Sequence, residues 1–376
     1  MSTTQLIPST EEPIPEPSSS DVCQTVFRPR DLSGLEEFHC WYAGVHGYAS
    51  LIVCTFGVLT NILNIVILTR KNMQTSTNCI LTGLAISDLL TMSSYWMFAY
   101  HFYVAYGIQP SPIRNTRGWV SFMMFNALFT ATTHTISIWL GVLLAIFRYI
   151  YIRLSMEGTI MCSIPRAKVA VIIVYVCSVL VQIPNYCSLT VKELPDSNSN
   201  GSIFKLKSVN STGAPFNLMS MNLWTYAILA KMIPCVLMTI FGGILVYTLH
   251  IAKRKSSLLH KSNRASDSFR NRMREHARTT RMLVAVIILF LVTELPQGIL
   301  LLLSMTLDIR FFRRVYSPLG DFMDIIALIN NSINFLLYCT MSKTFRENII
   351  DVFSCFFKKH RKHFFLFKRA SGESIL

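Results

Sequence analysis

Seven long apolar blocks constrain this chain more than any other feature of its sequence. They cover roughly 46–69, 79–104, 120–151, 168–187, 222–251, 279–305 and 316–341. About 20 mostly apolar residues cross a bilayer as a helix, and each block is that long. Each is too long for a strand and too unbroken for an amphipathic surface helix. In lipid the backbone must satisfy its own hydrogen bonds, so the blocks are read as helices. Only 15% of the residues are charged and 52% are hydrophobic, a balance that soluble domains seldom show. The expected fold class is therefore an all-α membrane protein, a seven-transmembrane helix bundle, with a short amphipathic eighth helix after it.

The net charge of +15 is distributed as a topology signal, not as a nucleic-acid footprint. Residues 253–281 and the tail after 357 are rich in Lys and Arg, whereas the first forty residues carry mostly Asp and Glu. The excess of Lys and Arg on cytoplasmic loops places the N-terminus outside and the C-terminus in the cytoplasm, with Arg310, Arg313 and Arg314 dissenting. The resulting organisation is a disordered extracellular segment 1–44 and a bundle 45–341. A membrane-surface helix 342–357 and a basic cytoplasmic tail 358–376 follow. Asn200 and Asn210 head Asn-x-Ser/Thr sequons in a polar loop on the expected outer face, which marks them for glycosylation. Cys23, Cys40 and Cys187 face the oxidising side, and the sequence leaves their pairing open. Cys355 follows the last span, where a lipidated cysteine and a free thiol fit equally.

Ionisable and amide side chains inside the spans stand out because lipid penalises them, by about 2.5–3.5 kcal/mol for a central acid. They include Asp88, His134 and Ser137, then Glu294 in "TELPQG" with Gln297 beside it. Asp321, Asp324, Asn330 and Asn334 lie in the last span. Hydrogen-bonded glue between helices would account for any one of them.

Their order along the chain resembles rhodopsin-like G-protein-coupled receptors over residues 45–356. The matching pieces are Asn61, "LAISD", "SIWLGVLLAIFRY", Pro184, Pro234, Phe290, Pro296, Asn334, Tyr338 and "SKTFRENI". "KMIPC", "TELPQG", "INNSINFLLYCTMSKTFR" and "TNILNIVILTRKNM" are similar to the invertebrate myosuppressin and FMRFamide-type neuropeptide receptor branch. The resemblance implies a receptor for an amidated neuropeptide, at the plasma membrane, acting on a heterotrimeric G protein of Gi/o type. No enzyme chemistry and no nucleic-acid partner are expected, and membrane lipids are. It implies roles as well. Arg148, Tyr149 and Tyr338 would serve G-protein coupling. Asp88, Ser137 and Asn330 would hold an allosteric sodium ion, no other cofactor being expected, with Asn334, Asn61, Pro234 and Pro296 structural. Glu294, His134, Gln297, Asp321, Asp324, Trp96 and Tyr100 are the expected ligand-binding set.

The departures from the family pattern shape these expectations. The acid before Arg148 is Phe147, and the bridge cysteine expected in the third span is Met123. Thr130 stands where amine receptors carry an aspartate, and Leu328 where opsins carry the retinal lysine, so both ligand classes are disfavoured. Glu294 occupies the place of a family tryptophan two residues before Pro296. Family geometry sets His134 opposite it. The pair is expected either to act as a switch beside the hinge proline or to tie two spans together, with a ligand arginine reaching Glu294 only if it enters deeply. Arg148 would turn to Glu275 or to water. The alternatives carried are an atypical non-signalling receptor and, less well supported, a transporter, for which no inverted repeat or paired broken helices show.

Overall fold

The computed structural model describes residues 34–153, 158, 160–195, 202–208, 218–261, 267–307 and 311–354. Asn200, Asn210, Cys23 and Cys355 lie outside the described residues, as does Arg310. Seven long helices run in sequence: α1 (Gly34–Leu68), α2 (Ser76–Ala99), α3 (Arg117–Arg153), α4 (Ile164–Cys187), α5, α6 (Asp267–Thr306) and α7 (Ser317–Met341). Helix α5 is built from Leu218–Thr225, a π-helical stretch Tyr226–Met232 and Ile233–Lys261. A further helix, α8, covers 343–354. Six of the seven are long and apolar enough to cross a membrane. The exception is α2, whose inward stripe carries Ser87, Asp88, Thr91 and Ser94, all buried.

That stripe is the reason α2 and α3 lie side by side. Ser87 meets Ser137 at 2.8 Å, Thr91 meets Thr133 at 2.6 Å, and Ser94 donates to Asn126 at 2.7 Å. Ser87, Thr91, Thr133 and Ser137 also bond carbonyls of their own helices, and the added contacts across the two helices fix their register. The inner half of the bundle closes over an apolar core in which Leu84, Leu140, Ile287, Phe290 and Tyr338 are buried together.

The structure shifts one expected boundary and adds one element. Residues 34–44, expected to be disordered, begin α1. Phe38 and Tyr42 pack edge-on against Phe322 of α7, and His39 Nδ1 lies 3.2 Å from the Pro318 carbonyl. This outer contact continues the helix past the apolar stretch. In addition, the polar loop after α4 forms an antiparallel hairpin of β1 (Leu189–Pro195) and β2 (Ser202–Ser208), which hydropathy alone did not indicate.

The hairpin is held without the expected bridge. Met123 replaces the family cysteine, and Cys187 is a free thiol. Cys40 is disulfide-bonded, with its partner outside the described residues. Asn115, in the loop after α2, takes over the tether: its carbonyl accepts the Phe204 N–H at 3.0 Å and its Nδ2 donates to the Phe204 carbonyl at 3.3 Å. Replacing Asn115 by Ala removes the second bond, worth about 1 kcal/mol. Backbone amides of 202–208 are expected to exchange several-fold faster, with those of α3 unchanged, in a hydrogen-exchange comparison.

Candidate functional site: a charged floor beneath an outer cavity

Glu294, on α6, is 1% exposed and joins three helices. Its Oε2 accepts from Lys231 Nζ of α5 at 2.6 Å and lies 3.0 Å from His134 Nε2 of α3. A carboxylate oxygen paired with a lysine only accepts, so His134 donates from Nε2. Lys231 is also 1% exposed. It makes a second bond, at 2.8 Å, to Gln297 Oε1 one turn above Glu294, and its ammonium faces the Tyr226 ring at 5.9 Å. The expected Glu294–His134 contact is present, therefore, as part of a larger cluster. Lys231 supplies the charge that keeps a buried carboxylate tolerable.

Lys231 is the functional residue that the sequence reading passed over. The signal was there: a lysine three residues before Pro234 in a predicted span, and an intramembrane cation is a functional candidate by default. The route by which it reaches the core is less legible. Pro234 has no N–H to give, and the turn before it relaxes into the π-helix Tyr226–Met232. A π-bulge shifts the helical phase and commonly marks a functional site. Here Ala227, Ala230 and Lys231 are the buried residues of that stretch.

Above this floor lies a cavity of about 310 Å³. His134, Lys231 and Gln297 form its base, Tyr95, Thr130 and Tyr226 its sides, and Asp324 and Tyr316 lie opposite. Asp324 Oδ2 accepts from the Tyr95 hydroxyl at 3.2 Å, and that hydroxyl lies 2.9 Å from His46 Nε2. One turn farther out, Asp321 Oδ1 accepts from Tyr103 at 2.9 Å. Tyr103 reaches it because α1 comes close at Gly47, where an added Cβ would overlap the Tyr103 side chain.

Trp96 and Tyr100, expected in the ligand-binding set, stand away from this cavity. They stack on each other at 5.7 Å on an exposed face, with Trp96 Nε1 donating to Thr55 at 3.1 Å, and neither lines the cavity. The reason is helical phase. Asp88, Thr91 and Tyr95 follow one another at inward spacing along α2, which turns Trp96 and Tyr100 outward. A ligand arginine on Glu294 is disfavoured as well, since Glu294 is buried below the lining and already paired with Lys231.

Deeper in the bundle, Asp88 Oδ1 accepts from Ser137 at 2.8 Å and its Oδ2 accepts from Asn334 at 3.1 Å. Asn61 joins α1 to α7 through the Asn331 carbonyl at 3.1 Å. Both amide atoms of Asn330 are buried without a partner. At the end of the bundle away from the cavity Arg148 is buried, its guanidinium 5.7 Å from the Tyr151 ring and its Nε unpartnered. Tyr149 packs on Phe241, and Tyr338 on Phe345 of α8. The Glu275 side chain falls outside the described residues.

These features are those of a multi-pass helix bundle with a cavity toward one end and a buried arginine toward the other. The solved structure of squid rhodopsin overlays on the chain with a TM-score of 0.61 at 17% identity, covering 87% of this chain and 88% of that one. Residues 48–356 match the family described as Serpentine type 7TM GPCR chemoreceptor Srw, and the chain belongs to that family. Its relatives include the G-protein coupled receptor dmsr-1 of Caenorhabditis elegans, 27% identical over 83% of this chain and 69% of that one. The Sex peptide receptor of Drosophila melanogaster is 26% identical over 82% and 72%. The FMRFamide receptor of the same fly is 23% identical over 90% of this chain and 58% of its own length. These are signalling receptors, and the chain is a membrane receptor, not an enzyme.

Proposed function

We propose that the chain is a plasma-membrane receptor for an amidated neuropeptide ending in Arg-Phe or a similar pair. In this reading the N-terminus is outside, and a Gi/o-type G protein docks on the cytoplasmic face. The observation that carries it is the charge balance of the cavity. Lys231 neutralises Glu294 at the floor, which leaves Asp324 as the acid facing the space. A cationic side chain therefore finds its partner on α7, and the amide end of the peptide finds donors and acceptors at Gln297, Thr130 and His134. Thr130 and Leu328 line the same space, so it offers neither the aspartate of an amine site nor the lysine of a retinal site. The relatives named for FMRFamide and sex peptide support a peptide ligand.

Binding shifts an equilibrium only if the ligand favours one state. Glu294 lies two residues before Pro296 and Lys231 three before Pro234, where the missing N–H groups weaken α6 and α5. A peptide pressing on Gln297 and Lys231 would alter how α5, α6 and α3 are held together and so move the cytoplasmic end of α6. The residues around Asp88 also suit a sodium ion: Asp88 and Ser137 supply hard oxygen ligands, and Asn330 Oδ1 is buried without a partner.

Amidated neuropeptides and their free-acid forms, screened for G-protein activation in transfected cells, test the reading. Activation by Arg-Phe-amide peptides and not by their free acids is expected; substrate uptake or current without G-protein activation would overturn it. Arg148→Ala should leave peptide affinity within about threefold and remove most of the signal, measured as binding and nucleotide exchange on the same membranes. In this family reading Arg148 donates to carbonyls at the end of an inserted G-protein helix, far from the cavity.

A further inference from the structure

A second chamber of about 280 Å³ opens at the outer end of the bundle. It lies between the top of α1, the π-helical turn Tyr100–Ala105 that ends α2, the loop that follows, and β2. Its ionisable lining is His39, Arg114, Lys205 and Asp321, with Tyr103 beside them. These groups are unequally satisfied. Asp321 accepts from Tyr103, and His39 is held at the Pro318 carbonyl. Arg114 donates to the Asn115 side chain at 3.0 Å and to the Phe102 carbonyl at 3.3 Å, and its guanidinium stacks 4.9 Å from the Phe102 ring. Its Nε is buried without a partner. Among the described residues no carboxylate lies within ion-pair distance of Arg114 or Lys205.

Two cations thus face one chamber, and the one carboxylate in its described lining, Asp321, already accepts from Tyr103. The bonds to Asn115 and Phe102 hold the Arg114 fork in place, and Asn115 also holds the β2 strand that carries Lys205. One small piece of structure therefore holds the Arg114 fork and the strand from which Lys205 extends. A guanidinium held rigid in this way favours a carboxylate or another planar oxyanion. Asp321 at this chamber and Asp324 at the deep cavity are three residues apart on α7, about one helical turn or 5 Å. A short extended peptide spans that separation at about 3.3 Å per residue.

We propose that the outer chamber is an anion subsite, in which Arg114 and Lys205 bind an acidic side chain lying ahead of the amidated end of the peptide. The ligand class is thereby narrowed to peptides with a cationic, amidated end and an acidic residue upstream. This inference rests on the peptide reading above.

The test uses the full-length receptor and synthetic peptides ending Phe-Met-Arg-Phe-amide. Each carries a single aspartate, asparagine or lysine at one of the positions ahead of that ending. At one position the aspartate peptide is expected to be about tenfold more potent than the asparagine peptide, and the lysine peptide weaker still. That preference should shrink at high salt, as a partly exposed ionic contact requires. Lys205→Glu is expected to abolish the aspartate preference and to improve the lysine peptide, at wild-type surface level. Arg114→Gln should weaken the aspartate peptide and spare the asparagine one; should that variant fail to reach the surface, Lys205→Glu decides. Equal potency of the three peptides at every position on the wild type overturns the subsite and leaves the peptide reading standing. So does an aspartate preference that survives Lys205→Glu. Silence of the wild type to the whole set overturns the Arg-Phe-amide reading and the subsite with it.

Discussion

Lys231→Met is expected to remove most of the receptor from the cell surface. The substitution leaves Glu294 buried at 1% exposure with His134 as its remaining donor, and breaking a buried ion pair costs about 3–5 kcal/mol. Total stability of a domain is commonly about 5–15 kcal/mol, so the loss is a large fraction of it. Glu294→Met strands Lys231 in the same way and is expected to be as damaging. The double replacement by methionine should recover expression, since neither charge is then left alone and an apolar pair of similar volume is often neutral or better. Surface labelling of the four receptors forms a double-mutant cycle that measures the coupling. An expressed double variant separates two roles. If it binds peptide but signals at less than a tenth of wild type, the cluster is a switch; full signalling reduces it to a tie between α3, α5 and α6. Glu294→Gln refines the point by keeping the shape and an acceptor oxygen for Lys231 while removing the negative charge.

The parts of this molecule that were legible in the sequence are those written as composition or as single intramembrane residues. The apolar blocks announced the bundle, and Glu294 and His134 were visible because lipid makes such groups costly. The rest depended on phase and on neighbours. Lys231 belongs to a stretch whose π-helical winding changes which side faces inward, and an unbroken 3.6-residue period does not foresee that. Trp96 and Tyr100 looked like pocket aromatics by depth alone, although Asp88, Thr91 and Tyr95 already marked the inward face of α2. The hairpin after α4 was hidden by its polar composition, and its anchor, Asn115, is distant in sequence. Helix α1 begins at Gly34 because Phe38 and Tyr42 pack on Phe322 of α7, a contact that no local pattern in residues 34–44 reveals.

In the proposed peptide reading, those same neighbours decide which acid is offered to the ligand. Asp324 faces the cavity with Oδ2 on the Tyr95 hydroxyl, whereas Glu294 is sealed beneath Lys231. Asp324→Asn is therefore expected to lower the potency of an Arg-Phe-amide peptide by about 30- to 100-fold. That is the effect of some 2–3 kcal/mol, converted at 1.4 kcal/mol per tenfold and at the lower end of the loss when one partner of a buried charge pair is neutralised. Asparagine still accepts from Tyr95, so the α2–α7 contact survives and surface expression should stay near wild type. The decisive control is a peptide in which citrulline replaces the arginine. It should bind the wild type weakly and should lose little more on Asp324→Asn. Asp321→Asn is expected to matter less for the arginine, because Asp321 lies one turn farther out and serves Tyr103. If Asp324→Asn weakens both peptides equally, the carboxylate braces Tyr95 and the arginine binds elsewhere. If Glu294→Gln, normally expressed, weakens only the arginine peptide, the ligand enters below Lys231 and the arrangement argued here is wrong.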